Sequence, residues 1–100
     1  MTGTVYKMRA RVWLYPGIAA WHMVTLLKNQ SGKIKQLFAV AHRGWSSLPV
    51  IVRLEQTIWN TSIFFDKKAG AYLLPLKAEV RKKEHILAGD TVSLLLEIKP

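Results

Sequence analysis

The densest set of chemically capable side chains is the run His42-Arg43-Gly44-Trp45-Ser46-Ser47. Arg43 can grip an anion in a bidentate way, and Gly44 lets the backbone approach it closely. Ser46 and Ser47 offer hydroxyls, and Trp45 can stack on a planar ring or lid a pocket. The structural alternative is that Trp45 fills the core and Arg43 lies in solvent. In Trp59-Asn60-Thr61-Ser62, strand alternation pairs Trp59 with Thr61 and Asn60 with Ser62. If Asn60 and Ser62 face inward they need partners, because a buried unpaired polar group costs about 1–3 kcal/mol. Either a ligand or the neighbouring backbone can satisfy them.

Two basic groups invite a phosphate. Lys77 and Arg81 are four apart and share one face of a short helix. Lys7, Arg9 and Arg11 form a stripe that ends at Trp13, a mixture suited to single-stranded nucleic acid. Each has a plain reading as well: a solvated helix face, and strand charges that block edge-to-edge aggregation.

Enzyme signatures are absent. His22, His42 and His85 show no metal-ligand spacing, and no nucleophile elbow, dinucleotide fingerprint or P-loop occurs. His42 stands near Ser46 and Ser47, but nearness in sequence does not make a base and a nucleophile. Gly89-Asp90 reads as a structural turn in which the carboxylate accepts backbone N–H groups. Without cysteine there is neither a disulfide nor a thiolate metal site. The expectation is therefore a binding domain with no cofactor and no metal.

The elements that must position these residues read as mainly β. Tyr6, Met8, Ala10, Val12 and Leu14 alternate with Lys7, Arg9 and Arg11, so a half-buried strand runs over 5–14. Tyr15-Pro16-Gly17 turns the chain into a second strand at about 21–26. Asn29-Gln30-Ser31 offers caps for a helix carrying Ile34, Leu37 and Phe38, with Gly32 weakening its start. Pro49 is expected to open a third strand over 50–54, a tight turn at Glu55-Gln56 leads to a strand over 58–65, and Asp66–Gly70 closes a hairpin. A strand over 71–76, a short helix over 78–84 and a last strand over 91–98 complete the set. Six or seven strands with two short helices imply a sandwich or barrel.

One hundred residues make one domain, and 50% hydrophobic with 21% charged residues is a globular balance. The net charge of +9 is uneven. Residues 1–50 hold seven basic side chains and no acid, whereas residues 51–100 hold eight basic and six acidic ones. That asymmetry points to an anionic partner or to surface charge that only confers solubility. No secretory leader or membrane span is legible, so the expected location is the cytoplasm.

Several motifs in order carry a resemblance. Trp21-His22-Met23-Val24, Arg43-Gly44-Trp45-Ser46, Pro49-Val50, Trp59-Asn60-Thr61-Ser62, Tyr72–Lys82 and Gly89-Asp90-Thr91-Val92 resemble the bacterial and archaeal family called domain of unknown function 1905. The departure is Leu27-Lys28, where that family tends to have a proline before its helix. The resemblance implies a small split β-barrel, and it implies Ser62 and Tyr72 as pocket residues beside Arg43, Trp45 and Ser46. It carries no catalytic residue. A shorter likeness, over Leu74-Pro75-Leu76-Lys77, Arg81 and Gly89–Val92, is to the half-barrel of AbrB-type regulators, which dimerise and bind DNA.

The sequence thus leads to an accessory domain, monomeric or homodimeric, that binds a small ligand or a protein partner. The alternative is nucleic-acid binding through Lys7, Arg9, Arg11, Lys77 and Arg81. Third comes a weak enzyme in a Trp45/Ser62 cleft, which would need a histidine or carboxylate lining the same cleft.

Overall fold

The computed structural model describes residues 5–17, 21–38 and 47–99. Its elements in chain order are β1 (Val5–Leu14), β2 (His22–Thr25), α1 (Lys28–Phe38), β3 (Ser47–Leu54), β4 (Thr57–Asp66), β5 (Ala71–Leu76), α2 (Ala78–Glu84) and β6 (Thr91–Ile98). The six strands close into an antiparallel barrel in the order β1-β2-β5-β4-β3-β6. Closure is complete within one chain, so no second copy is required to finish the barrel.

Alternation builds the interior. Met8 and Val12 of β1, Val50 and Val52 of β3, Ile63 of β4, and Leu94, Leu96 and Ile98 of β6 all point inward and are buried. Lys7, Arg9 and Arg11 take the opposite face of β1 and are exposed. Leu14 departs from the expected pattern. It lies at the strand end, beyond the last β6 partner of β1, and is exposed.

The two helices cap opposite mouths. At one mouth, α1 packs against the start of β5, with Ile34 fully buried, and Gln30 Nε2 donates to the Lys7 carbonyl at 3.2 Å. At the other, α2 buries Val80, and Thr57 Oγ1 donates to the Glu84 carboxylate. His85 ends α2 in the left-handed region, φ 55°.

Three boundaries differ from the sequence reading. The helix starts at Lys28, so Ser31 is not a cap. It lies inside the helix, fully buried, and its Oγ accepts the Tyr72 backbone N–H at 3.0 Å. That N–H points beyond the end of β2, where no strand is left to receive it. Pro49 does not open β3 but is its third residue. It pairs with Ser62 on one side, and on the other its carbonyl accepts Lys99 N–H, just past the Val50↔Ile98 end of the β6 ladder. A proline is tolerated where a ladder runs out. Asp66 pairs with Ala71, which leaves a four-residue loop, 67–70, closed by Gly70 at φ 65°.

The turn before β6 matches its reading. Leu87 N–H donates to the Asp90 carboxylate at 2.8 Å, and Gly89, at φ 94°, donates its N–H to Val12 O. At the far end of the same pair of strands, Val5 lies opposite Glu97.

A groove at the incomplete β4–β5 seam

The ladders around the barrel are unequal. β3 and β4 are paired over eight positions from Ser47↔Phe64 to Leu54↔Thr57, but β4 and β5 only over Phe64↔Leu73, Phe65↔Tyr72 and Asp66↔Ala71. The cause is in β5. Tyr72 directs its carbonyl to Leu26 N–H, 2.9 Å away on the β2 side. Peptide groups alternate sides along a strand, so Leu73 and residue 75 face β4. Residue 75 is proline, which has no N–H to donate. The ladder therefore stops at Leu73.

Beyond that point β4 still presents the peptide groups of Ser62 and Asn60 toward β5, by the same alternation from Phe64. They have no β5 partner. Lys77 Nζ reaches across and donates to the Asn60 carbonyl at 3.3 Å. Arg81 Nε donates to Leu76 O at 3.2 Å, which fixes the guanidinium beside the same opening.

The result is an open groove of about 800 Å³, within the ~300–1,000 Å³ range of ligand sites. Trp21, Phe64, Pro75 and Leu76 supply its apolar surface. Asn60, Ser62, His22, Lys77 and Arg81 supply its polar groups, and none of its described lining residues is acidic. Trp59 and Ile63 point the other way, into the core, and Asn60 is exposed. The alternation in Trp59–Ser62 is thus resolved: Asn60 and Ser62 face outward and need no buried partner.

The residues singled out in the sequence are distributed as follows. Ser62, Lys77 and Arg81 come together in the groove. Tyr72 does not join them. Its side chain is buried in the core, edge-on to Phe65 with ring centroids 5.2 Å apart. Burial pushes its hydroxyl above the ordinary value of 10.0, and Tyr6 is raised for the same reason. Arg43, Trp45 and Ser46, with His42 and Gly44, lie outside the described residues, whereas Ser47 opens β3 opposite Phe64. Lys7, Arg9 and Arg11 line the outer face of β1, away from the groove.

Sequence reasoning missed Trp21, Phe64 and Pro75 as groove residues. Pro75 was the available signal, since a proline late in an otherwise apolar strand marks the place where pairing must stop.

The family model described as domain of unknown function (DUF1905) matches residues 9–96. The chain belongs to this DUF1905 family. The match takes in all of β2 to β5 and both helices, so the seam and its groove lie within the DUF1905 domain itself. No curated protein matches the chain.

Proposed function

We propose that this DUF1905 domain is a non-catalytic binding module whose site is the groove at the β4–β5 seam, and that it takes an anionic ligand with an apolar or aromatic part. One observation carries this reading. Lys77 and Arg81 stand at an opening with exposed apolar walls and, among the described residues, no acidic lining residue. Each spends one donor on a backbone carbonyl, which orients the head group while other donors of each can reach a ligand. A site fixed in this way requires little ordering when it binds.

The groove also holds His22 with Ser62, the minimal pair for the enzymatic alternative. Their strands, β2 and β4, are separated by β5, about 9–10 Å at normal strand spacing. The described residues that line the groove include no carboxylate to complete a catalytic set. The set favours binding over acid–base chemistry.

The test is titration with anilinonaphthalene sulfonate, an aromatic anion whose fluorescence rises in apolar sites. Saturable binding to the folded protein, weakened at least about tenfold in Lys77→Glu, is the expected result; tenfold corresponds to about 1.4 kcal/mol. Binding unchanged in Lys77→Glu would remove the groove from consideration.

A further inference from the structure

The groove does not end at its own rim. Trp21 and Phe64 line it on one side and on the other line a second hollow with Tyr15, Met23 and Leu73. Trp21 is held at this place because its carbonyl accepts Tyr15 N–H at 2.9 Å. Tyr15 in turn stacks on Trp13, ring centroids 5.8 Å apart, and Trp13 is pinned by its Nε1–H to Thr25 Oγ1 at 2.8 Å. Trp13 shares the outer face of β1 with Arg11, Arg9 and Lys7 by strand alternation. A continuous strip therefore crosses the barrel wall, from Lys77 and Arg81 over Phe64, Trp21 and Tyr15 to Trp13 and Arg11.

This strip has three properties that select its occupant. Its aromatic members are exposed in part: Trp21 50%, Phe64 42% and Tyr15 37%. Both of its ends are basic. The one carboxylate among its described residues, Asp66 in the second hollow, is followed in sequence by Lys67 and Lys68. A second copy of a chain carrying +9 would bring like charge against like charge, whereas a polyanion gains from it. A duplex hides its base faces, so exposed rings gain little from it. Exposed rings between cations match unpaired bases on a phosphate chain.

We propose that the strip is a track for single-stranded nucleic acid, with phosphates at Lys77 and Arg81 and again at Arg11 and Arg9, and bases stacked on Phe64, Trp21 and Tyr15. This rests on the groove being a binding site, and it names the ligand that the groove and the adjoining strip take together.

The experiment is fluorescence anisotropy of a labelled oligothymidylate of about ten nucleotides, within the ~4–16-nucleotide sites of comparable small barrels. It is repeated at about 50 and 200 mM salt. Binding should persist at the higher salt, exceed that of a duplex of equal length, and weaken about 5- to 150-fold in Trp21→Ala, the loss expected for one stacked base. Phe64→Ala, tested separately, should behave alike. Lys77→Gln should lower the salt slope by about 0.7, one phosphate contact on a single strand. Lys83→Gln removes the same charge from α2 away from the groove and should change affinity less than about twofold. Circular dichroism of each variant confirms that the barrel is intact. Three outcomes would overturn the track: equal affinity for duplex, equal affinity for polyglutamate, or indifference to both Trp21→Ala and Phe64→Ala. Saturable binding of anilinonaphthalene sulfonate that Lys77→Glu abolishes, without oligonucleotide binding, would leave the groove as a site and eliminate only the track.

Discussion

The β3–β4 ladder and the β4–β5 ladder share a strand yet differ in kind. The first is continuous from end to end, and its inward residues Val50, Val52 and Ile63 are fully buried. The second holds three pairs and then opens at a proline. The same strand, β4, turns Trp59 and Ile63 into the core and Asn60 and Ser62 outward, beside an unpaired edge. A barrel need not be uniformly sealed to be closed. Pairing can be continuous in one part of the wall and stop short in another.

The largest effect should come from the sealed side. Leu96 is fully buried opposite Val52 and Tyr6, so Leu96→Ala should destabilise by about 2–5 kcal/mol in urea unfolding. A loss below about 1 kcal/mol would mean that this wall is no more robust than the seam. Next comes Ser31→Ala, which leaves the Tyr72 N–H buried without its acceptor. It should cost about 1–3 kcal/mol, and the Tyr72 amide should exchange faster with solvent.

Pro75→Val sharpens the contrast directly. It returns an N–H facing β4 and lets the ladder extend toward Ser62. Hydrogen exchange at Ser62 should slow, and anilinonaphthalene sulfonate binding should fall. Stability should change by less than about 1 kcal/mol, because the gained bond is worth only ~0.5–1.5 kcal/mol. Trp21→Ala, at a half-exposed ring, should move stability by no more than about 0.5 kcal/mol.

The smallest effect concerns pH. Burial raises the Tyr6 and Tyr72 hydroxyls above 10.0 in the folded protein. As pH passes the ordinary value the unfolded chain loses these protons first. The stability associated with them is therefore complete below pH 10 and is lost as pH rises through the folded values. Tyr72→Phe should flatten the alkaline limb of a stability–pH curve and leave neutral pH behaviour to packing alone.

Much of the fold was legible because alternation and turn chemistry are local. The register of Met8, Val12, Leu94 and Leu96, the Gly70 and Gly89 turns, and α2 all follow from neighbours in sequence. Ser31 was misread as a cap because its partner, the Tyr72 N–H, is forty-one positions away. The site was only half legible for the same reason. Ser62, Lys77 and Arg81 were marked by type, but Trp21 and Phe64 join them only when β2, β5 and β4 lie side by side. Tyr72, linked to Ser62 by resemblance, proved to face the core because it shares the inward face of β5 with Leu74 and Leu76.

The pairing of Val5 with Glu97 places the two ends of the domain about one strand spacing apart. A unit whose entry and exit are so close can be spliced into a surface loop of another protein without prying its host open. The groove lies on a different part of the wall, between β4 and β5, and would stay accessible after such a graft. The barrel is in that sense a portable part, with its paired ends and its groove kept separate.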